Sequence, residues 1–330
     1  MTGLPEKSVE NGAKTSGRVE VSIVTPAFSE EKNLPLLYDR LKTVMEGLGV
    51  TWSWLVVDDH SEDRTYDAVA EIARKDPRVK CLRLARNSGS HVALVCGLHH
   101  ADGECTVALA ADLQDPPETI PKLLEEWRSG AQIVWAARGA RAGVSKQSLM
   151  FSRAFFWTLR NVAKLKEIPA SGADFFLLDR RVAQAFKQFD ERNVSLFALI
   201  TWMGFRQSTI YYDKEARAYG HSKWTLLRKL RLTVDSVVAF SHLPVRIMSL
   251  LGLAIALLGF TFAAFIIIDV VLGNPPAGWA STMVIILVLS GVQMMMLGVL
   301  GEYLWRTLDE SRSRPLYVVE IRTDESEETD

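Results

Sequence analysis

Cysteine is scarce in this chain: Cys81, Cys96 and Cys105 are the only three among 330 residues. Their number is odd, no Cys-x-x-Cys occurs and no histidine stands at metal spacing around them. A disulfide framework or structural zinc is therefore not expected, and a reduced, cytosolic setting fits. A surplus of either charge is missing too, with 38 basic against 39 acidic side chains and a net charge of −1. Such a balance gives no support to a bulk polyanion partner, so no nucleic acid is expected. No Gly-x-Gly-x-x-Gly follows the first apolar run and no Gly-Lys-Ser/Thr loop exists, which counts against a dinucleotide dehydrogenase and a P-loop NTPase. Residues 1–18 lack the apolar core of a secretion signal and read as a mobile polar tail.

Charge is also nearly missing from one long stretch. Residues 232–301 hold three formal charges, Asp235, Arg246 and Asp269, while the other 260 residues carry the remaining 74. The mean hydropathy of +0.08 thus averages two regimes, and a wholly soluble, disordered or fibrous chain is excluded. Two charge-free runs, residues 247–268 and 280–301, are each long enough, at about 1.5 Å per residue, to cross a hydrocarbon core of roughly 30 Å. Joined by Gly273-Asn274-Pro275-Pro276, they predict a hairpin of two transmembrane helices within residues 246–305.

Basic residues flank the outer ends of these runs. Lys223, Arg228, Lys229, Arg231 and Arg246 precede the first, Arg306, Arg312 and Arg314 follow the second, and the connecting turn has none. The positive-inside bias then predicts an integral protein of the plasma or inner membrane, with both termini and the charged domain cytoplasmic. In residues 223–245, Leu227, Leu230, Val234 and Val237 recur at helical intervals among Arg228, Lys229 and Arg231, the pattern of an amphipathic helix at headgroup depth. Phe151 to Lys166 reads either as a second such helix or as an ordinary helix on the core. Residues 306–330 read as a cytoplasmic tail. Gly291, Gly298 and Met294 to Met296 offer a small and adaptable packing face, from which a homo-oligomer is expected.

The charged part alternates in period. Val19 to Pro26, Trp52 to Val57, Val79 to Leu84 and Cys105 to Ala110 read as strands; Glu31 to Leu48, Thr65 to Lys75 and His91 to Ala101 read as helices. This alternation predicts an α/β domain with a mostly parallel sheet flanked by helices on both faces. Ligands of such sheets bind at the carboxyl ends of the strands. Carboxylates stand at three of those ends: Glu30 after the first, Asp58 and Asp59 after the second, Asp112 and Asp115 after the fourth.

Asp58 and Asp59 suit the hydrogen-bond donors of a nucleobase or ribose, and they equally suit capping, with Ser61 or Asp63 opening the next helix. Asp112, Gln114 and Asp115 are hard oxygen donors without imidazole or thiolate nearby, a set that suits Mg²⁺ or Mn²⁺ beside a diphosphate. Asp115 before Pro116-Pro117 and Glu118 also has the form of a helix start. Arg217 and Lys223 provide phosphate-binding cations around Gly220, or a basic run attracted to anionic lipid.

The ordered set Val24-Thr-Pro-Ala-Phe-Ser-Glu30, Val57-Asp-Asp-His-Ser61 and Ala111-Asp-Leu-Gln-Asp-Pro-Pro-Glu118 resembles the family 2 glycosyltransferases of the GT-A fold, specifically the polyprenyl-phosphate glycosyltransferases. The resemblance extends over about residues 19–320 and includes the two C-terminal spans. It implies a GT-A domain at 19–222 and inverting, metal-dependent transfer of a sugar from a UDP- or GDP-sugar to a polyprenyl phosphate. Pro26, Phe28 and Glu30 would line the nucleotide pocket, with Asp59 or Asp58 on the base and Ala111 beside it. Asp112 and Gln114, with Asp115, would hold Mg²⁺ or Mn²⁺, although the family's Asp-Ala-Asp begins here with Ala110. Arg138 matches an arginine that touches phosphate, and Arg217, Ser222 and Lys223 match a phosphate-clamping loop. Asp174 matches the acidic residue on the acceptor side and is, with Asp112, the catalytic candidate. A processive polysaccharide synthase would share the donor site, but its Gln-x-x-Arg-Trp motif does not occur. A non-catalytic sugar-nucleotide-binding membrane scaffold is the other alternative.

Overall fold

The computed structural model describes residues 19–139, 175–189, 195–213, 215, 243–272 and 278–324. Strands β1 (Val21–Ala27), β2 (Trp52–Asp58), β3 (Val79–Leu84) and β4 (Cys105–Ala108) alternate with helices α1 (Asn33–Leu48), α2 (Thr65–Ala73) and α3 (Ser90–His100). A 3-10 turn (Pro117–Thr119) leads into α4 (Ile120–Arg128), followed by β5 (Ile133–Arg138), β6 (Phe175–Asp179), α5 (Arg180–Phe186), α6 (Leu196–Trp202) and β7 (Gln207–Tyr212). The chain continues through α7 (Leu243–Val271) and α8 (Trp279–Ser311) and ends in β8 (Val319–Arg322).

The eight strands of the described residues form one sheet in the order β7-β5-β6-β4-β1-β2-β3-β8. The pairs β1–β2, β1–β4, β2–β3 and β5–β7 are parallel, while β6 runs antiparallel to both β4 and β5, and β8 antiparallel to β3. Six strands therefore end at the same edge, and the two reversed strands begin there.

The inner strands are mostly apolar and almost wholly buried because helices cover both faces. On one face Leu34, Leu37, Leu41 and Met45, spaced to line a single stripe of α1, pack with Trp54 and Val56. On the other, Leu94 and Leu98 of α3 pack with Val24, Trp135 and Phe176. Gly97 lets α3 lie directly on the sheet, since a Cβ there would come within 2.2 Å of Val24 Cγ1.

The expected mostly parallel sheet is present, and it is mixed because β6 enters from the opposite edge between β4 and β5. Residues 306–330 are not simply a tail: α8 runs on to Ser311 and β8 joins the sheet. Glu302 and Arg306 stand one helical turn apart and pair at 2.9 Å, so the first charges after Gly301 do not end the helix. Lastly, among the described residues one helical segment, Val288–Ser311, is long and apolar enough to cross a membrane, and Leu250–Ile266 within α7 is a shorter apolar stretch. The expected helices at 223–242 and Phe151 to Lys166, the tail at 1–18 and the turn at 273–276 lie outside the described residues.

Candidate active site

Backbone strain marks the edge where the parallel strands end. Ser29, His60 and Leu113 have φ of 59°, 59° and 58°, in the left-handed region that costs a non-glycine residue roughly 1 kcal/mol or more. Each lies within a few residues of the end of β1, β2 or β4. Strain of this kind persists where surrounding contacts enforce it, and here they do. The Ser29 amide donates to Ser61 Oγ at 2.9 Å and the Glu30 amide to Thr65 Oγ1 at 2.9 Å, which ties the loop after β1 to the loop after β2. Pro26, Phe28 and Glu30 are half-buried along this seam, and Glu30 Oε2 accepts from Asn33 Nδ2 at 2.5 Å.

Asp58 and Asp59 are both buried, and their surroundings separate them. Both oxygens of Asp59 accept backbone amides, from Ser88 and Gly89 at 2.7 Å each, so this carboxylate fixes the loop that opens α3. Asp58 Oδ1 accepts from the Ser61 amide at 3.1 Å, while its Oδ2 lies 3.8 Å from Arg83 Nη1. Burial pushes both carboxyls up from the ordinary 3.8, against the lowering pull of those hydrogen bonds. At the start of α2, whose N-cap Arg64 makes no side-chain cap hydrogen bond, Asp63 Oδ1 accepts from the Thr65 amide at 3.1 Å.

The loop after β4 is folded on itself. Asp112 Oδ1 accepts from the Gln114 amide at 3.2 Å across the left-handed Leu113. Ala111 is buried, Asp112 is 9% exposed and Gln114 is half-buried. Asp115 faces inward and accepts from the Tyr212 hydroxyl at the end of β7. The Glu215 amide donates to the Gln114 carbonyl at 2.9 Å, which brings the chain after β7 onto the same loop. Arg40 of α1 pairs with Glu118 at 2.6 Å and Glu215 at 3.0 Å. Beside these contacts opens a cavity of about 740 Å³ lined by Arg40, Pro116, Lys122, Tyr212 and Asp213.

Among the described residues no three His, Cys, Asp or Glu side chains gather as a metal cluster. Asp112 with Gln114 offers oxygen donors only at this edge, which fits a hard divalent cation that keeps some of its waters. Asp115, expected as a third ligand, is wholly buried and engaged by Tyr212. Arg138 closes β5 opposite Tyr212. Asp174, Arg217, Ser222 and Lys223 lie outside the described residues. Sequence reasoning missed Arg83, Tyr212 and Arg40, which sit in no motif and reach the edge through tertiary contacts.

The site stands on a mixed α/β sheet, with oxygen-bearing loops at the ends of β1, β2 and β4. Residues 22–186 match the model of glycosyl transferase family 2, and the chain belongs to that family. It is 38% identical to an uncharacterized glycosyltransferase of Synechocystis, over 91% of this chain and 95% of the relative. It is 35% identical to the uncharacterized glycosyltransferase YkcC of Bacillus subtilis, over 92% and 94%. With the bactoprenol glucosyl transferase of Shigella phage SfX it shares 34% identity, over 92% of this chain and 100% of the relative. The chain is a glycosyltransferase.

Proposed function

We propose that the chain transfers a sugar from a UDP- or GDP-sugar to a polyprenyl phosphate at the cytoplasmic face of the membrane, by direct displacement with inversion. The observation that carries this reading is the match to the phage enzyme named bactoprenol glucosyl transferase, because it extends over 92% of the chain and so takes in both the sheet and the long apolar helices. The working division is a catalytic domain at 19–222, a juxtamembrane helix at 223–245 and a membrane hairpin at 246–305.

Pro26, Phe28 and Glu30 would flank the nucleoside, over the stitched loops that Asp58 and Asp59 hold from beneath. Arg138, Arg217, Ser222 and Lys223 would offset the charge of two phosphate-bearing reactants. Arg217 follows two residues after Glu215, whose amide is bonded to the Gln114 carbonyl. Asp174 immediately precedes β6, whose first residue pairs with Ala136 near the catalytic edge. A lipid monophosphate has a second pKa near 6 and is largely ionised at neutral pH, so Asp174 would orient the attacking oxygen more than deprotonate it. A bound Mg²⁺ or Mn²⁺ would neutralise the departing diphosphate, and Asp112 with Gln114 would hold it. Positioning and electrostatics supply most of the rate in such a step.

Radiolabelled UDP- and GDP-sugars, offered with polyprenyl phosphate and divalent metal, should give a lipid-extractable monosaccharide. Polymer would favour a processive synthase, and nucleotide binding without turnover a scaffold. Asp112→Ala should lower kcat by about 100-fold or more with an unchanged melting midpoint; full activity in that variant would remove Asp112 from the metal site.

A further inference from the structure

The last strand meets the donor edge in an unusual way. Arg83 pairs with Ile321 and Leu84 with Val319, so Glu320 is the extra residue of a β-bulge. A bulge re-aims the side chain it carries and disrupts the ladder at that point. Glu320 Oε2 accordingly lies 3.4 Å from Arg83 Nε and 3.5 Å from His60 Nδ1. Arg83 in turn donates to the Ser61 carbonyl at 3.1 Å and approaches Asp58 at 3.8 Å, and His60 Nδ1 also contacts the Leu84 carbonyl at 3.0 Å.

His60 is one of the three strained residues of the edge, and Ser61 holds the loop after β1 through Ser29. One carboxylate from the far end of the chain therefore braces both sides of the Asp58 to Ser61 segment. It arrives there from α8, which ends at Ser311, after a connector of only seven residues, 312–318. The Ala85 amide receives the returning chain at the Val318 carbonyl, at 2.9 Å.

We infer that Glu320 is a positioning residue of the donor site: it holds Arg83 and His60 so that the loop after β2 keeps its nucleotide-binding form, and it ties that loop to the end of the apolar helix α8. The inference rests on the proposed nucleotide-sugar function. Its test is the affinity of the full-length chain in detergent for UDP and GDP, together with donor KM, lipid KM, kcat and melting midpoint, for wild type, Glu320→Gln and Glu320→Ala. Glutamine keeps the shape and a hydrogen-bond acceptor but not the charge. Both variants should weaken nucleotide binding and raise donor KM by about fivefold, the scale of one half-exposed ion pair. Saturated kcat, lipid KM and the melting midpoint should stay within experimental error. Wild-type nucleotide affinity in Glu320→Gln overturns the inference, whatever Glu320→Ala does, because the charge would then be idle and the strand merely structural. A wild-type chain that binds nucleotide but glycosylates no polyprenyl phosphate overturns the acceptor assignment and leaves the Glu320 measurement intact. Binding of neither nucleotide overturns both.

Discussion

Asp76 is 5% exposed in the turn between α2 and β3, a costly place for a charge without partners. Arg78 supplies them, with Nη2 at 2.7 Å from Oδ2 and Nε at 2.8 Å from Oδ1, and the Tyr38 hydroxyl donates to Oδ2 at 2.8 Å. The Arg78 hydrogen bonds outweigh burial and hold the Asp76 carboxyl down at about 2, against an ordinary 3.8. A carboxyl depressed on folding adds stability that is present above its unfolded pKa and lost as pH falls through the folded one. The window is therefore about pH 4 to pH 2, and the loss is on the order of 2 kcal/mol. Denaturant melts of the detergent-solubilised chain should show Asp76→Ala well below wild type at pH 7, with the gap shrinking by that amount near pH 2. A gap that does not depend on pH would refute the assignment. Residues of this kind show what single positions disclose: an acidic side chain at a strand end is visible in the sequence, but its partner is not. Asp58 and Asp59 read as equals until Ser88, Gly89 and Arg83 are placed around them. Nothing around Asp115 in the sequence announces the contact it makes with Tyr212, 97 positions away.

Elements are legible where a periodic face is buried along their whole length. The stripe of α1 and the apolar runs of β1, β2 and β3 declare themselves because each packs into one core. β8 does not, since Val319–Arg322 alternates over too few residues and becomes a strand only by pairing with β3, more than 230 positions earlier. β6 is hidden for the same reason: its apolar run fits a strand, but its direction depends on neighbours. Close approach between elements is equally silent in sequence, and two helical glycines make the contrast measurable. Gly97 of α3 stands where a Cβ would meet Val24 Cγ1 at 2.2 Å and Val57 Cγ2 at 3.3 Å, whereas a Cβ at Gly47 of α1 would meet nothing within 4 Å. Gly97→Ala should push α3 off β1 and cost about 2 kcal/mol. Gly47→Ala should be neutral or stabilise by up to about 1 kcal/mol through helix propensity. The two melting curves settle the matter, and a destabilised Gly47→Ala beside an unaffected Gly97→Ala would contradict the packing described.

For the whole molecule, connectivity constrains the membrane arrangement more tightly than hydropathy does. β7 and β8 belong to one sheet, so the intervening chain, residues 213–318, leaves and returns on the same side of any membrane. If Val288–Ser311 crosses, a second crossing must precede it. α7 is the described helix available for that crossing, with 29 residues and a length of about 44 Å. Phe260 and Val271 on it are 75% and 79% exposed, and Leu258 is 71% exposed, so apolar side chains look outward along its length. On that condition α7 and α8 would form a hairpin, and the absence of Lys and Arg from residues 273–277 agrees with a non-cytoplasmic turn. The native cysteines are all buried in the sheet domain and silent to surface reagents, which makes introduced ones readable. Asn274→Cys should react with a membrane-impermeant maleimide in intact cells, and Arg312→Cys only after permeabilisation. Reaction of both in intact cells, or the reverse order, would defeat the hairpin and with it the cytoplasmic placing of the donor edge. The expected order would set that edge, through β8 and its seven-residue connector, beside the bilayer surface where a polyprenyl phosphate presents its headgroup.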